Sequence, residues 1–165
     1  MPFADDLLEQ ARHLANREPK RPRQASLRRA VSAAYYALFH LLTTEMAKNW
    51  KRAADRAEIA RIAEHAKMRT ACERQRSRLN EYFKTQPPVD HKQEVAEHLR
   101  RVTNAFVLMN EHRANADYNN SAKWTRTDTL EKIESVEAAF RSWRKIREES
   151  EAKDFLVTLI VKERK

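Results

Sequence analysis

Not one of the 165 residues is glycine, where average usage would supply about 7%. Glycine lets a backbone take positive φ or pass within contact distance of a ligand. Without it the chain lacks the usual sequence basis for a phosphate-cradling loop, a dinucleotide-binding turn or a nucleophile elbow. Ala, Leu, Glu, Arg and Lys, all strong helix formers, fill the chain instead. These observations predict an all-α fold, an up-and-down helical bundle of about five helices with a four-helix core.

The length fits a single domain over residues 1–165, large enough to bury its own core. Cys72 is the only cysteine, so no disulfide forms within the chain, and no His, Cys, Asp and Glu cluster has the spacing of metal ligands. No metal and no cofactor is expected. No apolar run reaches the ~20 residues that cross a bilayer, and the opening Met1-Pro2-Phe3-Ala4-Asp5-Asp6 does not read as a secretory signal. The expectation is a cytoplasmic protein with no membrane partner. A net charge of +9 favours an anionic partner, most often nucleic acid, although it also serves solubility. The excess is concentrated: Arg17 to Arg29 holds six basic residues against one acidic, and Lys48 to Lys84 holds eleven against five.

The stretch from Ala25 to Leu42 reads as a central helix with two different faces. At 100° per residue, Leu27, Val31, Ala34, Leu38, Leu41 and Leu42 share one side, and Arg29, Ser32, Ala33, Tyr36, His40 and Thr43 share the other. The first side is core. The second sets a guanidinium, a phenol and an imidazole along one groove, while Ala30, Ala33, Ala34 and Ala37 allow neighbouring helices to approach closely.

Around this centre the spacing predicts a first helix from Ala4 to about Arg17, stopped by Pro19 and Pro22. Lys51 to Arg78 reads as a peripheral helix with a thin seam of Ile59, Ile62, Ala66, Met68 and Cys72. His65 lies beside that seam, either as a packed or surface histidine or as a ligand-binding one. Asn80 to Asp90, with Pro87-Pro88, reads as a loop. Asp90 and Gln93 form a capping-box pattern that starts the next helix. Its core stripe, Val95, Leu99, Val102, Phe106 and Met109, continues onto Arg113 and then toward Ala116 and Asp117. An arginine on a buried stripe needs acceptors or a cavity. It either pairs with Asp117 one turn away or faces a groove. Asn119 to Arg126 is a polar loop whose Trp124 either anchors the loop or stacks on a base. Asp128 with Glu131 restarts a helix carrying Leu130, Ile133, Val136, Phe140 and Trp143. The apolar run Phe155 to Val161, a short helix or a strand, is expected to dock on the bundle or on a second subunit, with a homodimer as the simplest symmetric assembly.

The run Arg28-Arg29-Ala30-Val31-Ser32-Ala33-Ala34-Tyr35-Tyr36-Ala37-Leu38-Phe39-His40, followed later by Arg113-Ala114-Asn115-Ala116-Asp117-Tyr118, resembles the two signatures of HEPN-domain proteins. These are small bacterial and archaeal helical bundles, many of them ribonuclease toxins or partners of nucleotidyltransferases. The resemblance extends more loosely from Leu27 to about Trp143. HEPN ribonucleases carry an arginine followed, after four to six residues, by a histidine. The arginine stabilises phosphate charge and the histidine moves a proton, which suits metal-independent cleavage through the ribose 2′-hydroxyl.

Here Arg113 takes the arginine position and Tyr118 stands where the histidine is expected. The resemblance therefore implies Arg113, Tyr118 and His40 as catalytic candidates, with His40 supplying the imidazole from the central helix. Arg29, Tyr36, Asp117 and His65 are the ligand-binding candidates. Three functions follow. One is a protein that binds RNA or a nucleotide and, as a toxin or defence component, cleaves RNA. Another is a non-catalytic partner for a nucleotidyltransferase or other protein. The third is a basic bundle whose function lies elsewhere.

Overall fold

The computed structural model describes residues 2–50 and 52–161. Among the described residues the secondary structure is helical throughout, in the order α1 Phe3–Ala15, α2 Gln24–Lys48, a single 3-10 turn Ala53–Asp55, α3 Arg56–Arg61, α4 His65–Lys84, α5 His91–Tyr118, α6 Arg126–Ile146 and α7 Ser150–Thr158. The fold is an all-α bundle, as composition and spacing indicate. None of these helices is long and apolar enough to cross a membrane.

The four long helices α2, α4, α5 and α6 form the body, and α1 lies along α2 and α6. Helix α2 is central, in contact with α1, α3, α5, α6 and α7. All six residues assigned to its core face, Leu27, Val31, Ala34, Leu38, Leu41 and Leu42, are buried. So are Ser32, Ala33 and Thr43 from the opposite face, because α1 covers part of it. The alanines Ala30, Ala34 and Ala37 are fully buried, and their small side chains let α2 be surrounded.

Two expected elements divide differently. The segment 51–78, read as one helix, breaks at Ile62–Glu64 into α3 and α4; Lys51 lies outside the described residues. The break sends the two halves of the apolar seam to different neighbours, α3 onto α2 and α4 onto α5, and leaves Ile62 half exposed. Helix α4 then continues to Lys84, beyond the expected loop start at Asn80, because Leu79 is buried and the Pro87-Pro88 pair restricts only the residue before it. Gln86, at φ 51°, makes the turn that glycine usually makes.

Helix α5 starts as expected, with Asp90 Oδ1 accepting from the Gln93 N–H. Helix α6 is capped three residues before its expected cap: Thr125 Oγ1 accepts from the Asp128 N–H, so Asp128 sits in the first turn. Trp124 is the loop anchor, buried, with its backbone joined to the Gln24 side chain in both directions. The apolar tail folds as α7 and buries Phe155, Leu156 and Leu159 against its own bundle. Val157 and Val161 of the same run stay more than half exposed.

Two arginines hold the ends together. Arg28 donates to the carbonyls of Ala116, Asn119, Asn120 and Ala122, tying α2 to the C-terminus of α5. Arg126 donates to Ala15, Glu18 and Pro19 at the end of α1.

Candidate functional site

Helix α5 delivers Arg113 onto two consecutive aromatic rings of α2. Its guanidinium carbon lies 5.0 Å from the Tyr35 ring centroid and 5.9 Å from that of Tyr36. The side chain is only 15% exposed, and Nε is buried without an acceptor among the described residues. Asp117, one turn on, approaches Nη1 at 4.0 Å, the outer limit of an ion pair, and also accepts a long 3.4 Å bond from Ser32 Oγ. Arg113 is therefore stabilised by π faces and one loose carboxylate, and its charge is incompletely neutralised.

The imidazole that shares these tyrosine rings with Arg113 is His65, and it reaches them because the chain breaks just before it. As the first residue of α4 it stacks on Phe39 at 4.1 Å and meets Tyr36 edge-on at 5.7 Å. Its Nδ1 lies 2.6 Å from Tyr35 Oη, and that oxygen accepts from Asn110 Nδ2 at 3.1 Å. Burial holds the His65 pKa below its ordinary 6.5, and the charges of Arg113 and His40 act the same way. A helix N-terminus further disfavours the imidazolium. Burial likewise raises the Tyr35 hydroxyl, to about 12, so it is a neutral hydrogen-bonding group throughout the physiological range.

His40 and Arg113 both lie near the Tyr36 ring. The His40 ring is 6.5 Å from Tyr36 and meets Phe3 edge-on at 4.9 Å, and burial lowers its pKa. It lines a cleft of about 280 Å³ between α1 and α2 together with Arg29, Ser32 and Tyr36. The groove expected along α2 is thus present. Arg29 also lines a second, more open cleft of about 660 Å³ with Arg28, Asp117 and Tyr118.

The structure accordingly brings Arg113, Tyr36 and His65 together, attaches His40 through Tyr36, and sets Arg29, Asp117 and Tyr118 around the neighbouring cleft. Tyr118 is 76% exposed, at the rim of the more open cleft.

Tyr35, Asn110 and Arg69 were not singled out by sequence reasoning. Asn110 carried a signal, lying three residues before Arg113 on the same helix face. Among the described residues no group of His, Cys, Asp and Glu could hold a metal ion. No protein-family model, curated protein or solved structure matches this chain.

Proposed function

We propose that this chain is a HEPN-like bundle that binds RNA or a nucleotide at the Arg113 site. The observation that carries the reading is the state of Arg113: a nearly buried guanidinium stacked on Tyr35 and Tyr36, with the Asp117 carboxylate at 4.0 Å. A buried charge so weakly paired is costly to the fold, and an anionic ligand would offset that cost. The net charge of +9 supports the same class of ligand, and so does the resemblance carried by the α2 motif and by Arg113 to Tyr118.

The test is retention of a mixed-sequence RNA by the purified chain, without added metal and across a salt series, comparing wild type with Arg113→Ala. The expected result is salt-dependent retention that weakens about tenfold or more in the variant. Equal binding by both proteins would remove Arg113 from the reading. Intact and cleaved RNA are resolved in the same lanes, and cleavage abolished by His40→Ala would establish a nuclease whose proton carrier is on α2.

A second reading rests on Tyr118, an exposed aromatic beside Asp117 and Arg29 at the rim of an open cleft. It suits a protein partner, a nucleotidyltransferase being the one the resemblance suggests. Wild type that neither retains nor cuts RNA would favour it.

A further inference from the structure

One line of hydrogen bonds runs through the site, and its direction is fixed at one end. Arg69 can only donate. Its Nε and Nη2 are held by Glu73 and Glu111 at 2.9 and 2.7 Å, and its Nη1 reaches Asn110 Oδ1 at 3.2 Å. That contact identifies the oxygen end of the Asn110 amide, so the NH₂ end faces Tyr35 and donates to Oη. Tyr35 is fully buried, and its own proton then has one acceptor among the described residues, His65 Nδ1 at 2.6 Å. The opposite choice, Nδ1–H donating to Oη, would make the phenol oxygen accept twice and strand its proton in the core.

From this line of donors we infer that His65 is held as the neutral imidazole with its proton on Nε2, and that Nε2–H and the Arg113 guanidinium together bind a phosphate oxygen of RNA or a nucleotide. The inference rests on the function proposed above and deepens it. His65 enters the site as a donor, so it does not take the ribose 2′-hydroxyl proton. The groups that face it from each packed element are Tyr35, Tyr36, Phe39 and His40 of α2 and Arg113 of α5. Among the described residues Nε2 makes no hydrogen bond to any of these groups, and the cation at Arg113 favours a neutral partner. A phosphate oxygen bound there would accept from a charged and an uncharged donor side by side.

The test uses the full chain labelled with ¹⁵N in histidine, with proton-to-nitrogen correlation spectra recorded near neutral pH. The expected spectrum shows His65 protonated at Nε2 and unprotonated at Nδ1. An uncleavable 2′-O-methyl RNA oligonucleotide is then added, and it is expected to shift the His65 Nε2 resonance. Asn110→Asp keeps the contact with Arg69 but presents a carboxylate to Tyr35, which turns the phenol proton around and moves the His65 proton to Nδ1. Tyr35→Phe removes the link and is expected to mix the two tautomers and to weaken oligonucleotide binding about three- to tenfold.

A wild-type His65 protonated at Nδ1, or charged, would overturn the inference. So would an unchanged tautomer in Asn110→Asp. Oligonucleotide that binds in an Arg113-dependent way without moving either His65 nitrogen would overturn the role of His65 and leave the proposed function standing. Failure of wild type to bind the oligonucleotide at low salt would instead overturn the proposed function, and the ligand assigned to His65 with it.

Discussion

Arg113 combines a structural liability with a chemical use. Replacing a buried, weakly paired cation by an apolar side chain of similar length is often neutral or stabilising. Arg113→Met is therefore expected to leave the denaturation midpoint unchanged or raise it while RNA retention falls. A urea titration run beside the retention assay checks both halves. Arg113→Lys is expected to lose nearly as much retention as the methionine variant, because an ammonium keeps the charge but not the plane that stacks on Tyr35 and Tyr36. At this scale the sequence was partly legible. Arg113 stood out as a cation on an apolar stripe, and Tyr36 and His40 shared a helix face. His65 was among the ligand-binding candidates, but its place beside Tyr35 was hidden, since that depends on where α4 begins. Tyr35 carried no sign of its role either, because a buried tyrosine reads as core until its hydroxyl partners are known.

Helix α2 was the most legible element, since its period, its alanines and its length all agree with being enclosed on most sides. Its tight packing has a cost for larger residues. Ala34→Leu, apolar for apolar, is expected to destabilise the fold by about 1–3 kcal/mol through overpacking, read as a lower urea midpoint with unchanged helical signal. The junction between α5 and α6 depends on Arg28, which satisfies carbonyls that the end of α5 would leave open. Arg28→Ala is expected to cost about 2 kcal/mol and to speed amide exchange over residues 119–125 before it affects the rest. The break at Ile62–Glu64 was the least legible feature. No proline or glycine marks it, and its cause is tertiary, the diversion of α3 and α4 to different neighbours.

For the whole molecule, burial lowers the pKa of His40, His65, His98 and His112 together. Each binds its proton more weakly in the folded state than in the unfolded one. As pH falls below the ordinary imidazole value of 6.5, the unfolded chain takes up more protons and stability declines. Tyr35 gives the opposite flank: above its ordinary value of 10.0 the unfolded chain loses a proton that the fold retains, and stability falls again. Denaturant midpoints are thus expected to be flat near pH 7 and to drop on the acid side, by about pH 5. His65→Gln is expected to reduce the acid-side drop.

Cys72 extends this to time. The chain's one thiol is fully enclosed on α4, two turns from His65, and burial pushes its pKa up, so it reacts only when the helix leaves its seat. Alkylation of native protein at neutral pH should be slow and should accelerate with urea. The labelling rate is then a clock for the lifting of α4, and hence for the interval during which the phenol of Tyr35 and the imidazole of His65 stay joined. Any ligand gripped by both α4 and α5 should slow that clock, without itself touching the sulfur.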